Sequence, residues 1–115
     1  MRIVILGAGA MGCLFAARLA PLTPVTLLSQ WAEAIARIRT RGIRLLEDGG
    51  EHVVTVPIGD DPTQTIPADL ALVLVKSYQT ERAAAWAATA LSRHGLALTL
   101  QNGLGNAERI AARVG

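Results

Sequence analysis

In the first part of the chain, short apolar, β-branched runs alternate with longer segments in which apolar and polar residues are mixed. Arg2 to Leu6 and Val25 to Leu28 have the length and side chains of strands. Ala10 to Leu19 and Trp31 to Arg41 place apolar residues at helical spacing, and Gly42 is suited to end the second helix. Strand, helix and strand joined by short links predict a βαβ unit with parallel strands.

The next segment departs from this repeat. Two strand-like runs, Ile43 to Leu46 and His52 to Val56, flank a polar centre at Glu47 to Glu51 that contains two glycines. This arrangement predicts an antiparallel hairpin inserted into the parallel sheet. Pro57 to Pro67 is polar and rich in turn residues, so we expect a loop that leads back to the sheet.

The α/β alternation then resumes. Leu70 to Val75 is continuously apolar, as in strands that are buried on both faces. An alanine-rich helix is predicted over Thr80 to Leu91, and Gly95 precedes a strand over Leu96 to Leu100. Ala107 to Val114 begins another helix. The pattern predicts a Rossmann-like, doubly wound, mostly parallel α/β sheet in one domain over the whole chain.

Composition narrows the class of protein. The chain has 115 residues, 51% hydrophobic and 17% charged, with a formal net charge of +2. Such a chain can bury a core, and its charge is too small to indicate nucleic-acid binding. It has no apolar run of about 18 residues and no signal peptide pattern, so we expect no membrane span and a cytoplasmic location. Cys13 is the single cysteine, and His52 has no partners at ligand spacing, so we expect no metal site.

The strongest motif lies between the first strand and the first helix. Gly7, Gly9 and Gly12 have the G-x-G-x-x-G spacing of a dinucleotide-binding turn. In that motif, the first glycine permits the tight turn, the second lets a pyrophosphate approach the backbone, and the third lets the helix pack closely. Backbone amides at the helix N-terminus stabilise the anion. The predicted pyrophosphate-binding residues are Gly7, Ala8, Gly9, Ala10, Met11 and Gly12; the alternative is a glycine-rich turn that binds no ligand.

Two further segments follow apolar strands directly. Lys76 ends the strand that begins at Leu70, and Asn102 follows the strand that begins at Leu96. Ligands bind at the carboxyl ends of the strands in doubly wound sheets, so both segments are expected beside the glycine turn. The alternatives are a solvated lysine and a simple Asn-Gly turn.

The residues after the second strand bear on the choice of cofactor. An NAD-preferring site has Asp or Glu there to bind the ribose 2′-hydroxyl. This chain has Ser29 and Gln30 instead, and Glu33 falls within the predicted helix. A neutral end removes repulsion against a 2′-phosphate, and Arg37 could add positive charge. We therefore expect NADP, with NAD not excluded.

Three segments together carry a family resemblance: ILGAGAMG at Ile5 to Gly12, LVKSYQT at Leu74 to Thr80, and LQNGLGN at Leu100 to Asn106. In order and spacing they resemble the N-terminal domain of the ketopantoate reductase (2-dehydropantoate 2-reductase) family. The resemblance implies hydride transfer from NADPH to the keto carbon of 2-dehydropantoate, which gives pantoate for pantothenate and coenzyme A synthesis. It also implies that Lys76 and Asn102 line the nicotinamide and substrate end of the cleft. Gln30 departs from the family pattern, which has an arginine there for the 2′-phosphate.

The family also has a helical C-terminal domain that binds the keto acid and carries a proton-donating lysine and a glutamate. Nothing in this sequence corresponds to that domain, so we expect no catalytic residue here, weak cofactor binding and no turnover. We expect the exposed face where that domain would dock to favour a homo-oligomer. The alternatives are a related keto-acid reductase, a regulatory nucleotide-sensing module without catalysis, and a structural remnant without a ligand.

Overall fold

The computed structural model describes residues 1–47, 49–74 and 80–99. In those ranges the chain alternates between strands and helices, as the sequence predicts. The strands are β1 (Ile3–Leu6), β2 (Val25–Leu28), β3 (Ile43–Glu47), β4 (Gly50–Val54), β5 (Ile58–Gly59), β6 (Ala68–Val73) and β7 (Leu91–Thr99). The helices are α1 (Ala10–Leu19), α2 (Ala32–Arg41), α3 (Thr80–Ala90) and a short 3-10 helix (Pro62–Gln64).

Five of the strands form one parallel sheet in the order β5-β2-β1-β6-β7. Along β1, Leu6 is level with Leu28 of β2 on one side and with Val73 of β6 on the other. Val73 is in turn level with Thr99 of β7. The carboxyl ends of these four strands therefore share one edge of the sheet. This is the mostly parallel, Rossmann-like arrangement that the sequence predicts, and the prediction is confirmed.

Helices cover both faces of the sheet. Alternate residues of a strand point to opposite faces, so each strand contributes side chains to both helix layers. Ile3 and Ile5 of β1 join a core cluster with α1 and α2, whereas Val4 and Leu6 join a second cluster with α3. α3 contributes only small residues to the second cluster: Ala83, Ala84, Ala87 and Ala90. Burial on both faces explains why the central strands are continuously apolar.

The predicted hairpin is present as a separate two-stranded sheet. β3 and β4 pair antiparallel, from Ile43 opposite Val54 to Glu47 opposite Gly50. Gly42 precedes β3 with a φ of +72°, a value that favours glycine. Ile43 is buried in the cluster that contains α1, which attaches the hairpin to the domain. β4 begins at Gly50, two residues before the predicted start at His52.

The expectation of a plain loop over Pro57 to Pro67 is wrong. Ile58 and Gly59 form β5, which extends the parallel sheet beyond β2. Ile58 is buried, and the Leu27 N–H donates to the Pro57 carbonyl at 2.8 Å. The strand is too short to leave a periodic pattern, so only its pairing with β2 reveals it. Asp61 then caps the 3-10 helix by accepting the Thr63 N–H at 2.9 Å.

The last described strand starts earlier than predicted. α3 ends at Ala90, and β7 begins at Leu91 rather than at Leu96. Leu91 is opposite Ala68, whereas Leu96 is opposite Leu70, so the six residues from Leu91 to Leu96 lie along only three residues of β6. Gly95 lies in this irregular stretch, where a Cβ would be 2.9 Å from the Ala68 carbonyl oxygen. The predicted helix from Ala107 to Val114 lies outside the described residues.

Candidate functional site

The glycine turn joins β1 to α1 through close backbone packing. Gly7 has a φ of +117°, which side chains of L-residues disfavour. Its N–H donates to the Leu28 carbonyl at 2.9 Å, which ties the turn to the end of β2. A Cβ on Gly12 would lie only 1.8 Å from the Gly7 carbonyl oxygen. Glycine at position 12 therefore lets the first turn of α1 sit directly on the loop.

The N-terminus of α1 is open. Gly9 is the N-cap residue, with no side-chain cap and no acidic residue in the first turn. The first intrahelical bond of this turn joins the Cys13 N–H to the Gly9 carbonyl at 2.9 Å. The preceding amides, from Ala10 to Gly12, have no intrahelical acceptor, as at any helix start. Nothing lies within 4 Å of a Cβ built on Gly9, and Ala10 and Met11 are exposed, whereas Ala8 is buried. The positive end of the helix dipole thus faces accessible space.

The end of β2 lies beside this turn. Ser29 is buried, and its hydroxyl oxygen accepts the Trp31 N–H at 3.0 Å. Its own N–H donates to the Gly59 carbonyl at 3.0 Å. The Ser29 hydroxyl therefore orders the turn between β2 and α2. Gln30 is exposed, and its Oε1 accepts a hydrogen bond from Nη1 of Arg82.

Two guanidinium groups flank these residues. Arg37, on α2, places its guanidinium carbon 5.5 Å from the centroid of the Trp31 ring, a cation–π contact. Arg82, on α3, reaches Gln30 from an element on the other face of the sheet. The sequence points to Arg37 as a source of positive charge here but not to Arg82. Since 52 positions separate Arg82 from Gln30, no local motif could have revealed this contact.

The structure brings the glycine turn and the Ser29–Gln30 pair to one edge of the sheet. Lys76 and Asn102 lie outside the described residues, so their places at the site stay predictions. β6 and β7, the strands that precede them in the chain, both end at this edge. The Leu74 N–H donates to the Leu6 carbonyl at 2.9 Å, so the chain leaves β6 directly beside the start of the glycine turn.

Cys13, one residue past the last glycine, is half-buried on α1. Its S–H donates to the Ala8 carbonyl with an Sγ–O distance of 3.4 Å. Burial raises the pKa of the thiol above its ordinary value, and the positive charge of Arg37 opposes this shift. A protonated, internally bonded thiol is a packing group rather than a nucleophile.

Metal and membrane sites are the remaining classes to consider. No three His, Cys, Asp or Glu side chains gather into a possible metal site within residues 1–47, 49–74 and 80–99. His52 is exposed on β4. In the same part of the chain, no helix is long and apolar enough to cross a membrane.

Comparisons with known proteins agree with this geometry. The family model described as ketopantoate reductase PanE/ApbA matches residues 3–115. The 2-dehydropantoate 2-reductase of Halobacterium salinarum is 44% identical over 119 residues, which cover 99% of this chain and 38% of that relative. The crystal structure of 2-dehydropantoate 2-reductase from Geobacter metallireducens superposes with a TM-score of 0.86 at 31% identity, covering all of this chain and 38% of that one.

A second solved structure extends the comparison to a bound cofactor. D-mandelate dehydrogenase in a ternary structure with NADH has a TM-score of 0.85 and 29% identity, over 99% of this chain and 37% of that one. This chain therefore spans less than two fifths of these relatives' length and corresponds to their N-terminal part. The chain belongs to the ketopantoate reductase PanE/ApbA family.

Proposed function

We propose that this chain is the dinucleotide-binding part of a reductase that transfers hydride from NADPH to the keto carbon of 2-dehydropantoate, giving pantoate. The observation that carries the proposal is the open N-terminus of α1 at Gly9. Unpaired amides and the helix dipole stabilise a pyrophosphate there, and the absence of a Cβ on Gly9 permits its close approach. Membership of the reductase family supports the reaction class.

The proposal gives each group of residues one part of the cofactor. The turn from Gly7 to Gly12 holds the pyrophosphate, and Ser29 and Gln30 contact the adenosine ribose. Lys76 and Asn102 line the nicotinamide and keto-acid end. The groups that donate the proton belong, in this proposal, to the part of the relatives' length that this chain does not cover. The 115 residues alone are therefore expected to bind cofactor without turnover.

The proposal further specifies NADP over NAD. A carboxylate after β2 would accept a hydrogen bond from the ribose 2′-hydroxyl and repel a 2′-phosphate. Here the buried Ser29 and the neutral Gln30 occupy the end of the strand. D-mandelate dehydrogenase carries NADH on a similar fold, so the support for NADP comes from the neutral end of β2 and not from the fold.

Calorimetric titration of the purified chain with NADPH, NADH and AMP tests the proposal. We expect NADPH to bind more tightly than NADH, and Lys76→Ala to weaken NADPH binding. Equal, tight binding of NADH or AMP would instead indicate a nucleotide-sensing module. No heat with any nucleotide would overturn the proposal.

A second experiment tests the reaction itself. Joining the chain to the C-terminal part of the Halobacterium salinarum relative should give NADPH oxidation that depends on 2-dehydropantoate. Oxidation with other 2-keto acids but not with 2-dehydropantoate would indicate a related keto-acid reductase.

The homo-oligomer and the cytoplasmic location stay predictions. Sedimentation velocity of the chain tests whether it forms a homo-oligomer.

A further inference from the structure

We propose that Arg82, in the first turn of α3, binds the 2′-phosphate of NADP, and that Gln30 positions its guanidinium at the end of β2. This assignment rests on the proposed dinucleotide function, and it names the residue that distinguishes NADP from NAD. It places the phosphate-binding cation on a different element from the strand end that contacts the ribose.

The contact between Arg82 and Gln30 joins the first turn of α3 to the residue pair that follows β2. β2 and β6 lie on opposite sides of β1, and α3 packs on the face that is opposite α1 and α2. Arg82 nevertheless reaches the residue that follows Ser29, with Nη1 2.5 Å from Oε1 of Gln30. In dinucleotide-binding folds, residues just after the second strand contact the adenosine ribose. The guanidinium therefore lies where a 2′-phosphate would be recognised.

The charge of Arg82 is held in place without being neutralised. Its side chain is exposed, and no carboxylate among the described residues pairs with it. A glutamine accepts one of the five N–H donors of a guanidinium and leaves the net charge intact. An aspartate or glutamate at position 30 would orient the same group but cancel its charge. A neutral acceptor is therefore suited to position a cation that binds an external anion.

Arg37 is the alternative cation, and its geometry is less suitable. Its guanidinium lies over the Trp31 ring at 5.5 Å, and its positive charge acts on the Cys13 thiol of α1. It is thus directed along the face that carries α1 and α2, and it has no hydrogen bond to Gln30 among the described contacts. Arg82, in contrast, donates to the residue beside the ribose position. A guanidinium there can also bind phosphate through two parallel hydrogen bonds.

The test compares two ligands that differ only in the 2′-phosphate. Calorimetry measures the affinity of the 115-residue chain for adenosine 2′,5′-bisphosphate and for 5′-AMP, together with NADPH and NADH. Arg82→Gln should weaken the bisphosphate and NADPH by about 10- to 100-fold, the range expected for hydrogen bonds to a charged group. Binding of 5′-AMP and NADH should change by less than about threefold. Arg37→Gln removes the same charge and is the matched control; it should leave the ratio of the two affinities unchanged.

A rescue variant keeps the test independent of folding defects. Arg82→Gln combined with Gln30→Arg moves the guanidinium to the strand end and should restore most of the preference for the bisphosphate. Circular dichroism checks each variant, and Arg82→Lys, which retains charge without the planar fork, replaces Arg82→Gln if the latter unfolds; an intermediate loss is then expected.

The outcomes separate this inference from the proposed function. If the unmodified chain binds NADPH but Arg82→Gln leaves the bisphosphate-to-AMP ratio unchanged, the role of Arg82 is overturned and cofactor binding stands. If Arg37→Gln abolishes the ratio while Arg82→Gln does not, the cation is Arg37 and the inference is equally overturned. If the unmodified chain binds no nucleotide, both proposals fail.

Discussion

Replacing Gly12 with alanine tests how α1 packs on the turn that follows β1. A Cβ at this position would lie 1.8 Å from the Gly7 carbonyl oxygen and 2.9 Å from its carbonyl carbon. Both atoms belong to the backbone, so no change of rotamer relieves the overlap. The helix would have to retreat by more than an ångström to reach an ordinary contact distance.

The cost of this retreat exceeds the benefit of alanine in a helix. Overpacking against rigid groups costs up to about 3 kcal/mol. Alanine in place of glycine in a helix interior returns about 1 kcal/mol. The retreat also loosens Ala16 and Ala17, which are fully buried against the sheet. We therefore expect Gly12→Ala to lower the free energy of unfolding by about 2 kcal/mol and the Tm by roughly 8 °C.

Urea and thermal unfolding, followed by far-UV circular dichroism, measure this loss. Gly9→Ala is the matched control, because nothing lies within 4 Å of its Cβ and its φ of −76° suits alanine. Because alanine is a poorer N-cap than glycine, its stability should fall by up to about 1 kcal/mol, less than for Gly12→Ala. Its NADPH affinity should also fall, because a methyl group occupies the approach of the pyrophosphate. The packing argument is refuted if Gly12→Ala is as stable as the original chain or if Gly9→Ala is the less stable of the two.

Two further predictions concern the first helix and the hairpin. Because burial raises the pKa of Cys13, the thiol should react with iodoacetamide more slowly at neutral pH than after denaturation. The thiol has a higher pKa in the folded state than in the unfolded state. Its contribution to stability is therefore complete below the unfolded-state pKa and is lost as pH rises through the folded-state pKa. Between about pH 7 and about pH 10, Cys13→Ala should accordingly lose less free energy of unfolding than the original chain does. Gly42 has a φ of +72°, and a Cβ there would lie 2.9 Å from Val53 Cγ1, so Gly42→Ala should lower the free energy of unfolding in urea by about 1–3 kcal/mol. Gly49→Ala is the control and should be nearly neutral, because nothing lies within 4 Å of a Cβ at that position. Equal stabilities of the two variants would contradict this prediction.

Much of the fold follows from local pattern. The predicted helix from Ala10 to Leu19 and strand from Val25 to Leu28 have the bounds found in the structure. Each depends on interactions within a few positions: the apolar period, the β-branched run and the turn that Gly7 permits. The family is also readable from short motifs, and the match over residues 3–115 confirms it. Local chemistry suffices for these features because the residues that determine them are neighbours in the chain.

Tertiary structure alone decided the remaining features. Ile58 belongs to a strand only because β2 offers it a partner, and β7 extends back to Leu91 because Ala68 of β6 pairs with that residue. The contact of Arg82 with Gln30 depends on where α3 begins relative to β2, and no spacing rule connects positions 52 residues apart. The sequence determined the glycine turn, the alternating layers and the neutral end of β2. Folding decided which charge reaches that end, because long-range contacts are set by packing across the whole sheet.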